Sequence, residues 1–424
     1  MTRFLYITLS YLLAPVVLLF LVWRGFRNRA YWDRLPERFG FGLPNYNREC
    51  IWVHAVSVGE VQACKELVER LLRQNPDLPL LITTMTPTGS ARVNAIFGER
   101  VRHHYAPYDL PGSVSRFFAR VKPRIMIVVE TELWPTLYHE CGRRDVPLIL
   151  ASARISPPSV KKYRRFIGLF KEALSHGIVI AAQSEADAER FRDLGANPER
   201  THTTGNIKFD FELSESVRRN GKVARALHAP NRPVVLAAST HDGEEPMVLD
   251  AMDDVWQRYP ETLLILAPRH PERLAYVEGL MEGHGLRFVT RTSGSAATDA
   301  TAILLLDTLG ELRDYYAACD VAFVGGSLVP VGGHNLLEPA VLGKPVITGP
   351  HLYNTEDIAS KFLAAGAMNT VSDAAGLGAE MVRLLGDPDA RLRQGEAGKK
   401  VVEENRGALD RLLRLIEPLL IEHR

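Results

Sequence analysis

Two carboxylates and a lysine stand where apolar runs give way to polar turns. Glu60 follows the turn Ser57-Val58-Gly59, just past the apolar run Ile51 to Ala55. Glu130 closes "RIMIVVE", with Glu132 two residues on, and Lys208 follows the Gly-Asn turn of "TGNIKFD". A carboxylate so placed can take a proton from a hydroxyl nucleophile, and a lysine can hold developing negative charge. Each also has a plainer reading. Ser57-x-x-Glu60 has the spacing of a helix capping box, Glu130 can cap the next helix or pair with a basic neighbour, and a lone lysine is commonly a solvated surface group. From spacing alone the capping box is the simpler account of Glu60, and both readings stay open.

A second set of polar residues lies further along. "APRHPER" (267–273) places Arg269 and His270 directly after an apolar run, and "DTLGEL" (307–312) makes a turn that opens a helix. "VGGSLVPVGGHNLLEPA" (324–340) is glycine-rich and leads into a helix expected from about His334. Glycines let a backbone approach a ligand closely, and a helix N-terminus favours phosphate. On that helix Glu338 shares a face with His334 and Asn335, where it can accept hydrogen bonds from ribose hydroxyls. Three such turns in one half suggest a nucleotide. There is no phosphate-loop lysine pattern and no Gly-x-Gly-x-x-Gly after the first strand, which argues against phosphoryl transfer and NAD chemistry. His334-Asn335-x-x-Glu338 lacks a partnering His pair or Asp-x-Asp and does not look like a metal site. A nucleotide-sugar enzyme remains, with arginine, lysine and backbone dipoles neutralising the leaving group.

The elements that must carry these residues read as two α/β halves. Strands are expected at 51–55, 79–84, 101–105, 124–130, 146–151 and 177–181, with helices between them at about 60–74, 87–97, 111–121, 134–143, 158–174 and 184–194. The alternation restarts after the polar stretch 210–222, with strands at 233–239, 262–268, 287–290, 301–307, 321–326 and 344–349. This is the pattern of doubly wound parallel sheets, whose ligands sit beyond the carboxyl ends of the strands. Residues 389–424 read as helical. At 424 residues, 46% hydrophobic, 24% charged and a net charge of +1, the chain is long enough for two or more domains and carries no global nucleic-acid signal. The scattered cysteines Cys50, Cys64, Cys141 and Cys319 read as reduced thiols.

Two segments depart from this ordinary composition. Phe4 to Trp23 runs for twenty residues without a charge, long enough to cross a bilayer as a helix. A cleaved signal peptide is the other reading, but its apolar region is usually shorter and no small-x-small cleavage site precedes "WRGFRNR". Arg24, Arg27, Arg29, Arg34 and Arg38 follow the segment whereas only Arg3 precedes it, so the positive-inside rule places the body in the cytoplasm. Residues 154–171 hold Arg154, Lys161, Lys162, Arg164, Arg165 and Lys171 without an acid, interleaved with Tyr163, Phe166, Ile167 and Phe170. A cationic amphipathic helix suits an anionic membrane surface or a phosphorylated amphiphile; the plainer reading packs its apolar stripe on its own sheet. RNA binding is disfavoured, since no recognition motif accompanies the helix.

Taken together, the N-terminal span, "HAVSVGEV", "ETELWP", "GNIKFD", "STHDGEE", "APRHPER", "DTLGEL" and "GGSLVPVGGHNLLEPA" resemble the 3-deoxy-D-manno-octulosonic acid (Kdo) transferase family of lipopolysaccharide assembly. The stretches run in this order from residue 1 to about 350. The resemblance implies a GT-B fold, with two Rossmann-like domains facing a central cleft and an N-terminal transmembrane helix. The expected boundaries are 1–30 for the anchor, 31–210 for the acceptor-binding domain, and 211–424 for the donor-binding domain with its C-terminal helices. It implies CMP-Kdo as donor, the lipid A precursor lipid IVA as acceptor, and inverting transfer without metal or cofactor at the cytoplasmic side of the bacterial inner membrane. By the same resemblance Glu60 is the general base, and Glu130 and Lys208 stabilise the transition state. Contacts to CMP carry over to Pro268, Arg269, Leu309, Gly310, Glu311, Asn335, Leu336, Leu337 and Glu338. Another GT-B enzyme, such as a different nucleotide-sugar transferase or a UDP-sugar 2-epimerase, and a non-enzymatic lipid A or nucleotide-binding protein are the competing readings. With the base role in view, the expectation is that Ser57 caps the helix while Glu60 stays free for the acceptor hydroxyl.

Overall fold

The computed structural model describes residues 3–164, 167–174 and 177–421. It divides into two units, 1–211 with 405–424, and 212–404. Unit 1 is built on a parallel sheet of β1 (Cys50–His54), β2 (Leu80–Thr84), β3 (Arg102–Tyr105), β4 (Pro123–Val129), β5 (Leu148–Ala153), β6 (Val179–Ala182) and β7 (Thr201–Thr203), in the order β3-β2-β1-β4-β5-β6-β7. Unit 2 has β8 (Val234–Thr240), β9 (Leu263–Pro268), β10 (Phe288–Thr290), β11 (Ile303–Leu305), β12 (Val321–Val324), β13 (Val346–Thr348) and β14 (Met368–Thr370), in the order β10-β11-β9-β8-β12-β13-β14. Every strand pair is parallel, and Trp52 of β1 lies between Leu81 of β2 and Met126 of β4.

Helices cover both faces of each sheet, which is why the central strands read as unbroken apolar runs. In β1, Cys50 and Trp52 enter one core with Phe117, Phe118 and Tyr138, while Ile51 and Val53 enter the opposite core with Leu67, Ile82 and Ile127. In each sheet the strand order reverses beside the first strand, between β1 and β4 in unit 1 and between β8 and β12 in unit 2. Such reversals open a crevice at the carboxyl ends of the strands.

The structure corrects several sequence expectations. The C-terminal helix Ala408–Ile421 belongs to unit 1, not to a domain running from 211 to 424. Its Leu409, Leu412, Leu413, Ile416 and Leu420 form a stripe that closes the core containing Val53 and Ile127. The helix expected over 60–74 is two helices, α2 (Val58–Ala63) and Lys65–Gln74, meeting at Cys64. Edge strands β7 ("THT") and β14 ("MNT") are additional to the expected set, since they carry no apolar run.

The basic segment forms two helices, Pro157–Arg164 and Ile167–Leu174; Arg165 and Phe166 lie outside the described residues. Val160 and Leu174 join the core of their own sheet, and Tyr163 packs against it, while Lys161, Lys162, Arg164 and Lys171 are exposed. The N-terminal helix α1 (Arg3–Arg27) is the one described helix long and apolar enough to cross a membrane.

Candidate active site

The reversal in unit 1 gathers the three residues singled out there. β1 ends at His54, and the chain turns at Ala55 to Ser57 into α2. Ser57 occupies the N-cap position, but its side chain makes no capping bond. The Val56 N–H donates to Glu60 Oε2. The expected division of labour is therefore overturned in both halves: the serine does not cap, and one oxygen of Glu60 is engaged. The bond comes from one residue before the donor that a capping box uses. Among the described residues the other oxygen of Glu60 accepts no hydrogen bond. Burial pushes the Glu60 carboxyl up to about 8. The Val56 N–H opposes that rise, Glu130 and Glu132 add to it, and Lys208 pulls it down.

Glu130 sits at the end of β4 with φ 60°, a left-handed backbone that a residue with a side chain adopts only where its surroundings hold it. Its own N–H is fixed on the Ala151 carbonyl at 2.9 Å, and its carboxylate meets Lys208 Nζ at 2.6 Å. Glu132, also raised by burial, accepts from the Trp134 indole at 2.9 Å. Lys208 lies in the short turn Ile207–Asp210; its own N–H donates to Asn206 Oδ1 at 3.0 Å, and the Ile207 N–H donates to Ser152 Oγ at 3.4 Å. Asn206 in turn donates to Gln183 Oε1 at 3.2 Å, and Gln183 donates to the Ser152 carbonyl at 3.0 Å. Ser152 also has positive φ, 55°, at a bulge in β5. Glu130 thus pairs with the Lys208 ammonium, Glu60 feels the same charge, Glu132 lies beside Glu130, and a buried amide network fixes the turn that carries the lysine.

At the reversal in unit 2 the glycine-rich segment is used differently from the phosphate cradle its composition suggests. Glu244, fully buried, accepts from His241 N–H (2.9 Å) and Gly326 N–H (2.6 Å) on one oxygen, and from Ser327 and Leu328 N–H (2.9 Å each) on the other. The donors of this loop are therefore spent on the protein's own carboxylate. Close approach still requires glycine: a Cβ on Gly325 would lie 2.7 Å from the Ser239 carbonyl oxygen. The neighbouring Glu245 is also buried and binds Arg273 at 2.8 Å.

Above this support lies a histidine cluster. His241 and His334 share a hydrogen bond between their Nε2 atoms at 2.7 Å, and His270 packs edge-on against His241 with ring centroids 5.1 Å apart. Burial lowers His334 to about 4, with the charges of His241, Arg269 and His270 adding to the effect, and burial lowers His241 as well. Both shifts favour the neutral imidazole. Pro268 ends β9, and exposed Arg269 anchors its N–H on the Thr240 carbonyl at 2.9 Å.

The helix expected from His334 begins only at Leu337 and ends at Val341. His334 and Asn335 precede it, so they share no helix face with Glu338, and five residues do not make a phosphate-binding helix end. Asn335 Oδ1 instead accepts the Leu337 N–H at 3.0 Å, and the side chains of Leu336 and Leu337 point into the core. Glu338 pairs with Arg313 at 3.0 Å, which brings it beside the turn holding exposed Leu309 and Gly310. Glu311 of that turn accepts from Thr308 Oγ1 (2.5 Å) and Arg291 (3.0 Å). Among the described residues no three His, Cys, Asp or Glu side chains cluster as metal ligands.

Residues 33–211 match a family model described as 3-deoxy-D-manno-octulosonic-acid transferase (kdotransferase). The whole chain is 40% identical to a 3-deoxy-D-manno-octulosonic acid transferase of Haemophilus influenzae, over 99% of each chain. The chain belongs to the Kdo transferase family. A Kdo transferase of Bordetella pertussis is 36% identical over 96% of this chain and 97% of its own. The fold is also that of a Rickettsia africae glycosyltransferase, with TM-score 0.56 at 13% identity over 89% of this chain and 99% of that one. The protein is thus a glycosyltransferase with GT-B architecture.

For this Kdo transferase the sequence reading left several supporting residues unassigned. Glu132, Ser152, Gln183 and Asn206 hold or face the Lys208–Glu130 pair, and His241 and Glu244 organise the other reversal. Their signal was present as polar side chains at the ends of apolar runs, in "LILASA", "IVIAAQS" and "LAASTHDGEE". It is a weak one, because many strand ends are polar for solubility alone.

Proposed function

We propose that this Kdo transferase moves Kdo from CMP-Kdo to a hydroxyl of the lipid A precursor lipid IVA, with inversion and without a metal. The observation that carries the reading is the Glu60 carboxyl, tied by one oxygen and raised to about 8 beside Glu130, Glu132 and Lys208. A sugar hydroxyl is a weak nucleophile, and a base with affinity for protons near the working pH removes its proton most effectively as the bond forms. The Val56 N–H holds Glu60 in place without consuming its second oxygen.

Bond making and breaking then occur in one displacement at the anomeric carbon. The acceptor oxygen loses its proton to Glu60 and bonds to that carbon, while the bond to the CMP phosphate oxygen breaks and its electron pair leaves with CMP. Positive charge on the sugar is met by Glu130 and negative charge on the leaving phosphate by Lys208, so a protein cation takes the part a metal plays elsewhere. The neutral His241–His334 pair can donate to an anion without itself carrying charge. Exposed Lys161, Lys162, Arg164 and Lys171 suit the acceptor's phosphates, and α1 holds the body at the cytoplasmic face of the inner membrane.

The test incubates CMP-Kdo and lipid IVA with the wild type and with Glu60→Gln, with and without EDTA, and weighs the products. Wild type yields Kdo-bearing lipid in both conditions, of inverted anomeric configuration by NMR, and the variant yields almost none. Equal product from both proteins overturns the base assignment, and loss of product in EDTA overturns metal independence.

A further inference from the structure

Arg38 is a cation that unit 1 buries and the chemistry above does not use. It lies in the short turn Leu35–Phe39 and is 1% exposed. Its surroundings clamp it to the end of β3. The Tyr108 N–H donates to the Arg38 carbonyl at 2.8 Å, and the adjacent Glu37 accepts the Tyr105 N–H at 3.0 Å. The guanidinium itself lies over the Tyr105 ring, 4.0 Å from its centroid. Among the described residues its Nε and Nη2 have no hydrogen-bond partner, whereas Nη1 donates to the Met85 carbonyl at 3.0 Å. Burying a guanidinium without a carboxylate is costly, so the one acceptor it does reach is informative.

Met85 leads from that bond to the active site. It stands between β2 and the helix Pro87–Phe97, past the carboxyl end of its strand, and its N–H donates to the Val56 carbonyl at 3.0 Å. Val56 in turn donates its N–H to Glu60 Oε2. Three hydrogen bonds therefore run in one direction, from the guanidinium through two loop residues to the carboxylate. Both loops lie beyond their strands, where the ladder no longer fixes the backbone. A bond from a charged donor is about twice as strong as one between neutral groups, which makes Arg38 a firm first member of the series. The charged groups that bear on Glu60 directly are Glu130, Glu132 and Lys208, with the buried Cys64 thiol beside it. Arg38 is not among them, so it acts on Glu60 through geometry.

We propose that Arg38 is a positioning residue for Glu60, holding through Met85 and Val56 the loop that aims the carboxylate at the acceptor hydroxyl. The inference rests on the base role proposed for Glu60.

The test uses the full chain with CMP-Kdo and lipid IVA. Arg38→Met fills the same space and removes the donor. Its kcat should fall by roughly 10–10²-fold, with the KM for CMP-Kdo within about twofold of wild type. The acid-side limb of kcat/KM should also move upward from about 8, because the Val56 N–H that lowers the Glu60 carboxyl is no longer held. Arg38→Lys keeps a cationic donor, so its kcat should stay within about fivefold of wild type and its limb in place. Placed on Glu60→Gln, Arg38→Met should cost less than about twofold more, since the group it positions is already disabled. Full activity of Arg38→Met beside an inactive Glu60→Gln overturns this inference alone, as does a loss that multiplies in full in the double variant. Full activity of Glu60→Gln overturns the base role and this inference with it. Should Arg38→Met not fold, Arg38→Lys decides. Near-native kcat with an unmoved limb supports the role, and a folded but inactive Arg38→Lys overturns it.

Discussion

Glu60 and Glu244 stand at matching places in the two units and are put to opposite uses. Each begins the first helix after the first strand of its sheet, beside the reversal of strand order, and each accepts an N–H from the residues just past that strand. Glu244 accepts four backbone N–H groups and is closed off from solvent. Glu60 accepts one, stays partly open, and faces two further carboxylates. The surroundings decide the difference. The four donors of Glu244 knit it into its loop, whereas burial raises the Glu60 carboxyl and its single donor only partly opposes that rise, so Glu60 keeps affinity for a proton.

That contrast can be broken most directly at Glu60. Glu60→Gln keeps an oxygen for the Val56 N–H but cannot take a proton, so kcat should fall by roughly 10²–10⁴-fold with the thermal midpoint not lowered. Product mass and a melting curve check both halves. At Glu244 the same change should do the reverse. An amide NH₂ set against backbone donors should cost unit 2 about 2–4 kcal/mol, read as an earlier urea transition. A Glu244→Gln protein of native stability would remove the structural reading.

Smaller effects sharpen the picture. Lys208→Met should lower kcat by about 10²-fold. Because the ammonium holds the Glu60 carboxyl down, its loss should also move the acid-side limb of kcat/KM, along which activity rises as the base ionises, upward from about 8. A limb that stays in place would separate Lys208 from Glu60. The linkage to stability has a definite sign. Folding raises the Glu60 carboxyl from 4.5 to about 8, so ionisation works against the fold as pH rises across that interval. Glu60→Gln should therefore be more stable than wild type at pH 9, by up to roughly 5 kcal/mol, and equal to it below pH 4. Last, reversing Lys161 and Lys162 to glutamate should raise the acceptor KM by about fivefold without altering CMP binding. An equal change in both would assign the basic helices to unit integrity.

Much of the fold was legible because its signal is local. Apolar runs such as "RIMIVVE" and "TLLILAP" are strands buried on both faces, and the helices between them supply the crossovers of a parallel sheet. The edge strands "THT" and "MNT" were not, since hydrogen bonding to a neighbour makes them strands and composition does not announce it. The site was legible to the extent that chemistry sits at strand ends. Glu60, Glu130 and Lys208 lie 70 and 78 residues apart in the chain, and only the order β1-β4-β5 of the sheet and the turn after β7 bring them together.

The sequence by itself determined two α/β units, an apolar N-terminal helix, and polar residues placed at the carboxyl ends of the strands. These follow from periodicity and residue type, which act over a few neighbours. Tertiary structure alone decided which donors each carboxylate receives. It sent the glycine-loop N–H groups to Glu244 in place of a ligand and returned the last helix to unit 1. It also left Glu60 with one bond. The physical reason is that a carboxylate's role depends on burial and on the donors that surround it, and those come from residues far away in the chain.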